Sequence, residues 1–169
     1  HLGNNATQDT ISDEDGDSLT YSISGDDSDK FAITTGGSLY LKASGDYESQ
    51  STYNFVLNVS DGSLTTSKTS KVTFINVNES PVISTSNELT VIENNKVVTT
   101  IQASDPENDT IEYSLGGSND GDSGSFTIGS SSGELAFKNA PDYETKTSYS
   151  VYVTVSDPNG SGGFSTQVI

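Results

Sequence analysis

Tyr53, Phe55, Leu57 and Val59 alternate with Asn54, Val56, Asn58 and Ser60. Tyr149, Val151, Val153 and Val155 alternate in the same way with Ser150, Tyr152, Thr154 and Ser156. A period of two places one set of side chains on a buried face and the other toward solvent, which predicts half-buried strands. Leu19–Ile23 and Ile111–Leu115 carry the same pattern. Ser, Thr, Val and Tyr dominate these runs, good helix formers are scarce, and no segment carries a helical stripe. Turn dipeptides at Gly36-Gly37, Asp61-Gly62 and Asn159-Gly160 separate the runs. Short strands with frequent turns predict an all-β chain built as antiparallel sandwiches.

The pattern occurs twice. Ser12-Asp13-Glu14-Asp15-Gly16-Asp17-Ser18-Leu19-Thr20-Tyr21 returns as Ser104-Asp105-Pro106-Glu107-Asn108-Asp109-Thr110-Ile111-Glu112-Tyr113. Asp46-Tyr47-Glu48 returns as Asp142-Tyr143-Glu144, and Val59-Ser60-Asp61 as Val155-Ser156-Asp157. The spacing widens in the turn-rich Gly116–Gly124 stretch, as expected where a surface loop absorbs an insertion. Repetition sets the folding unit and predicts two tandem domains, residues 1–79 and 80–169. Pro81 cannot donate to a sheet ladder and suits a boundary. The linker Asn76-Val77-Asn78-Glu79-Ser80-Pro81 has no Gly and reads as a stiff joint. The run Glu88–Asn94 has a counterpart that falls mostly before His1, and Val168-Ile169 aligns with Val72-Thr73. The first domain is therefore expected to lack its first strand and the second its last residues, as in a fragment of a longer array.

Charge changes the picture. The formal net charge is −17, with no Cys among 169 residues. Domains of about 80 to 90 residues have thin cores and need staples, and disulfides are not available. An acidic surface of this size argues against nucleic acid and against direct contact with anionic membranes. No apolar run is long enough to span a bilayer. Asp46 and Glu48, two apart on extended backbone, point to one side. Two carboxylates about 4 Å apart repel by roughly 4 kcal/mol at an effective dielectric near 20. A divalent cation converts that repulsion into coordination, and Ca²⁺ takes about 6 to 8 such oxygens.

Other chemistries find little support. Asp13, Asp15 and Asp17 have the opening spacing of an EF-hand loop, but Ser18 stands where that loop needs Gly and Ser24 where it needs Glu. The single His is His1, and without Cys a nucleophile–base pair is hard to build, so no enzyme is expected. The Asp46/Glu48 pair resembles a glycosidase couple, but its recurrence in both domains favours scaffold chemistry. Asn-x-Ser/Thr sequences occur at Asn5, Asn58, Asn78, Asn108 and Asn159. Asn58 lies in an expected strand and Asn78 in the joint, both awkward for glycosylation.

The ordered set Val91-Ile92-Glu93-Asn94, Ala103-Ser104-Asp105-Pro106-Glu107, Asp142-Tyr143-Glu144 and Val155-Ser156-Asp157 resembles one cadherin repeat, and the same order runs from Ser12 in the first domain. The Asp13–Asp17 block and the short linker look more like bacterial cadherin-like modules than vertebrate ones. The resemblance covers essentially the whole chain and implies tandem Greek-key β-sandwiches with Ca²⁺ between successive repeats. It implies Asp46 and Glu48 from the first repeat as ligands, with Asn76, Asn78 and Glu79 from the linker. From the second repeat it implies Glu93, Asp105, Glu107 and Asp157. Asn76 stands where the family usually has Asp, and Ser80 where Asn is common, so fewer or weaker ions are expected.

The function this implies is a Ca²⁺-rigidified extender or adhesion module of a cell-surface or secreted protein, in contact with neighbouring repeats of its parent chain. A Ca²⁺-dependent carbohydrate-binding module is the alternative, with a polysaccharide as partner and Tyr40, Tyr47, Tyr143 and Tyr152 as candidate platforms. Homophilic cell–cell adhesion through an exposed strand edge, or through another cell-surface protein, is the second alternative.

Overall fold

A computed structural model describes residues 11–116, 121–158 and 163–169. His1, the sequons at Asn5 and Asn159, the Asn159-Gly160 turn and part of the Gly116–Gly124 loop lie outside these residues. The chain divides into two compact units, residues 1–76 and 77–169. Both are built from β-strands; the helical turns among the described residues are the short 3₁₀ segments Ser28–Lys30 and Ser123–Ser125.

In unit 1 the order is β1 (Thr20–Ser24), β2 (Phe31–Ile33), β3 (Leu39–Leu41), β4 (Thr52–Ser60) and β5 (Thr65–Thr73). Strands β1, β4 and β5 form one antiparallel sheet in that order, and β2 pairs with β3 as a second. The alternation along β4 is realised at its start, where Tyr53 and Phe55 are buried. They meet Phe31 of the other sheet, with ring centroids 5.7 and 4.8 Å away. The outer edge of β5 is unpaired among the described residues, and Lys68 and Lys71 are exposed there. Beyond β5, Phe74 turns inward and stacks on Tyr53 at 5.1 Å, while Ile75 is exposed. The ring lies against Gly45, where an added Cβ would fall 1.8 Å from a ring carbon. Gly45→Ala is therefore expected to push Phe74 off Tyr53 and cost about 1 to 3 kcal/mol, read as a lowered urea midpoint for unit 1.

Unit 2 repeats this plan with more strands. These are β6 (Val82–Ile83), β7 (Val97–Thr100), β8 (Ala103–Ser104), β9 (Glu112–Leu115), β10 (Phe126–Ile128), β11 (Glu134–Phe137), β12 (Tyr152–Ser156) and β13 (Phe164–Val168). The sheets run β13-β12-β9 and β10-β11-β7, with β6 paired to β8. The core is one contiguous cluster of Ile101, Tyr113, Phe126, Leu135, Phe137, Val151, Val153 and Val155, with Ile83 packed against it. The alternation expected from Tyr149 onward holds in burial, but β12 begins only at Tyr152. Val151 nevertheless exchanges both backbone hydrogen bonds with Ile169, at 2.8 and 2.9 Å. Glu88–Asn94, expected to open the second domain as a strand, has no ladder partner among the described residues and forms irregular backbone that sets Val91 on the core.

One fastening recurs in both units. The Asp27 carboxylate accepts the Asn54 backbone N–H at 2.7 Å and the Gln50 amide at 2.9 Å. These bonds, the Asn54 one foremost, hold its carboxyl below the usual range. In unit 2, Asp122 accepts the Ser150 N–H at 2.9 Å and pairs with Lys146, and that ammonium is the main cause of its lowered pKa.

Candidate metal centres

Ladder pairing ends as β8 passes into the loop 105–109. Asp105 folds its Oδ1 back onto that loop, accepting the N–H groups of Glu107 at 3.0 Å and Asp109 at 3.2 Å. Asn108 takes the left-handed conformation this turn requires, with φ of 62°. Asp157 follows directly on β12 and is 1 % exposed, while Asp105 is 7 % exposed. The Asp105 Oδ2 and Glu107 Oε1 atoms are buried without a hydrogen-bond partner. Desolvation is the main influence raising the Asp109 carboxyl above the ordinary range, followed by the charges of Asp157, Asp105 and Glu107. From the linker, the Glu79 backbone N–H donates to Glu107 Oε2 at 3.3 Å. A carboxylate oxygen of Glu79 also lies within 4.8 Å of one from Glu107.

A second group lies elsewhere in unit 2. Carboxylate oxygens of Glu93, Asp142 and Glu144 are within 4.8 Å of one another, all on exposed residues. The Tyr143 N–H donates to Glu93 Oε2 at 3.0 Å. Asp142 accepts the Glu144 N–H at 3.1 Å and the Thr145 hydroxyl at 2.8 Å, and the hydroxyl is the first cause of its lowered pKa. Of the residues expected from sequence, Glu93 is brought beside Asp142 and Glu144, because the irregular run 88–94 carries it to the Pro141–Glu144 turn, where Asn94 N–H bonds to Pro141 O at 2.9 Å.

Unit 1 repeats both local geometries. Asp13 Oδ1 accepts the N–H groups of Asp15 and Asp17, each at 3.0 Å, with Gly16 at φ of 78° where unit 2 has Asn108. Asp46 Oδ1 accepts the N–H groups of Glu48 at 3.0 Å and Ser49 at 3.1 Å, with both Asp46 and Glu48 exposed. Asp61 departs from Asp157: it accepts Ser63 and Leu64 N–H groups at 2.7 Å, which lower its pKa. In the linker, Asn76 is exposed at the end of unit 1, and Asn78 donates its amide to Glu79 O at 3.1 Å.

All these donors are oxygens, the set that suits a hard divalent cation. The two orphaned oxygens on Asp105 and Glu107 fit such an ion, since a buried carboxylate oxygen without a partner is costly. Of the tyrosines weighed as sugar platforms, Tyr40 and Tyr143 are 54 % and 62 % exposed, and Tyr47 39 %.

The family model described as the cadherin domain matches residues 2–78 and again 87–169. The chain belongs to the cadherin family. This cadherin pair is 36 % identical to human protocadherin Fat 1 over 158 residues, 85 % of the chain and 3 % of that protein. It is 33 % identical to mouse protocadherin Fat 4 over 153 residues, 82 % of the chain and again 3 % of the relative. Among solved structures, the EC1-2 fragment of human protocadherin-24 (Form II) aligns with a TM-score of 0.58 at 25 % identity. That alignment covers 93 % of this chain and 79 % of that one. The EC22-24 fragment of mouse cadherin-23 aligns with a TM-score of 0.55 at 22 % identity, covering 89 % of this chain and 51 % of that one. Cadherin domains are structural adhesion modules, typically calcium-dependent, and the all-β tandem fold expected from the sequence is that of the family. No helix among the described residues is long and apolar enough to cross a membrane.

Proposed function

We propose that this chain is a Ca²⁺-rigidified extender and adhesion module of a protein displayed outside the cell, working beside neighbouring cadherin repeats. The observation that carries the reading is the pair of buried, unpartnered carboxylate oxygens on Asp105 and Glu107. An uncompensated carboxylate inside a protein is costly, and a bound cation removes the cost while using the same oxygens. The proposed ligands are Asp105, Glu107 and Asp157 of unit 2, Asn76, Asn78 and Glu79 of the linker, and Asp46 and Glu48 of unit 1. Glu93 serves a separate site with Asp142 and Glu144. Ca²⁺ supplies charge neutralisation and a fixed set of oxygen contacts. Without it the carboxylates repel, and the linker loses what holds it at one angle.

Calorimetric titration with Ca²⁺ tests the reading. Saturable binding is expected, and Asp105→Asn should weaken it at least about tenfold, because affinity in oxygen sites follows ligand charge. Absence of binding heat at millimolar Ca²⁺, with equal scattering profiles in Ca²⁺ and in chelator, would overturn it.

A further inference from the structure

The two units differ in how far their paired strands run. In unit 1, β5 continues opposite β4 to the Tyr53 and Val72 pair, and the Phe74 N–H then donates to Ser51 O at 2.9 Å. Val72 and Phe74 pack on the core there, and Tyr53 is 8 % exposed. In unit 2 the matching pairing stops at Val151 and Ile169, and no described residue stands opposite Tyr149 or Thr147. These two match Tyr53 and Ser51 closely: Tyr149 meets Phe126 edge-on at 5.8 Å, as Tyr53 meets Phe31 at 5.7 Å. Tyr149 is only half-buried. A cleft of about 300 Å³ remains beside it, lined among others by Leu89, Val91, Phe126, Phe137 and Tyr143. Ser150 accepts the Asp122 N–H through its C=O and donates its own N–H to the Asp122 carboxylate. Alternate residues of an antiparallel strand turn their backbone groups to opposite sides. The N–H and C=O of Tyr149 and the C=O of Thr147 therefore point to the side on which Ile169 pairs with Val151, and none has a partner among the described residues.

We propose that unit 2 accepts an extended strand from a partner polypeptide alongside residues 147–149. Its first inward side chain is apolar and covers Tyr149; its second, opposite Thr147, is aliphatic rather than aromatic. Open backbone groups beside an apolar cleft are what an added strand requires. The occupant is argued from unit 1, whose own chain fills the matching place with Val72 and Phe74. The aliphatic preference follows from two differences between the repeats. Phe74 fits only because Gly45 has no Cβ, which would fall 1.8 Å from the ring, and the residue matching Gly45 before the second Asp-Tyr-Glu turn is Pro141. Phe137 also stands opposite Phe126 where Leu41 stands opposite Phe31, so the bulkier side chain narrows the space further. A branched aliphatic side chain fits where a ring would be overpacked. The inference stands apart from Ca²⁺ binding.

The probe is a peptide of residues 71–76 carrying Phe74→Val, added to the isotope-labelled full chain and followed by amide NMR. Saturable shifts are expected at residues 147–151 and 169, with the Tyr149 amide gaining protection from exchange. Val72→Asp in the peptide should abolish them, and restoring Phe74 should weaken binding about fivefold or more. Joining the same peptide sequence to Ile169 should fill the cleft within one chain and cancel the response to added peptide. No saturable shift at millimolar peptide, or shifts confined to other residues, would overturn the strand site. Equal affinity for the Val and Phe peptides would overturn the aliphatic preference. Shifts at residues 147–151 that grow with the chain's own concentration, without peptide, would assign the cleft to a second copy and overturn the proposal.

Discussion

Millimolar Ca²⁺ should raise the melting temperature of unit 2 by roughly 10 to 20 °C over the value in chelator. A ligand at about 100 times its dissociation constant stabilises by roughly 2.7 kcal/mol per site. In a domain of about 60 to 100 residues, each kcal/mol moves the transition by roughly 4 to 8 °C. The apo loop starts from a disadvantage that enlarges the contrast. Asp105 and Asp157 are buried, and their charges oppose that of the exposed Asp109. A scanning calorimetry experiment in Ca²⁺ and in chelator reads the shift directly. Superimposable transitions would mean that these carboxylates are tolerated without an ion.

Phe55→Ala should unfold unit 1 while leaving unit 2 largely as it was. The buried apolar residues of unit 1 among the described residues are Phe31, Tyr53 and Phe55, against eight in unit 2. Phe55 stands 4.8 Å from Phe31 by ring centroids, so its loss opens the middle of a small cluster. Removing a buried Phe costs about 3 to 5 kcal/mol, comparable with the whole stability of a small domain. Calorimetry should then show the unit 1 transition lost or moved to low temperature, assigned to unit 1 by amide NMR. A single transition shifted as a whole would show instead that the two repeats melt as one cooperative unit.

The fold was legible because the strand period is local. Tyr53 and Phe55 on β4, and Val153 and Val155 on β12, are buried where the alternation places them. The site was legible only in part. Asp105, Glu107 and Asp157 are brought to one region of unit 2, whereas Glu93 stands beside Asp142 and Glu144, a proximity that linear order does not show because an irregular run between strands has no period to follow. Asp61 and Asp157 occupy matching positions in sequence, yet one caps its own turn and the other is 1 % exposed. That difference depends on how the chain packs around each, and no spacing encodes it. The Asp27 and Asp122 fastenings were equally invisible, since their backbone partners Asn54 and Ser150 lie far along the chain.

The rim of β5, unpaired among the described residues, bears on how the protein behaves at high concentration. A nine-residue edge with open backbone donors and acceptors is a template on which another chain can add a strand, and repeated addition leads to fibrils. Two of the chain's seven basic residues, Lys68 and Lys71, stand on that edge. Antiparallel stacking of two such rims would bring ammonium groups close together and oblige them to shed water. The pair therefore acts as a gatekeeper, and lysine modification or an engineered swap to Val at these positions would remove a barrier to self-association.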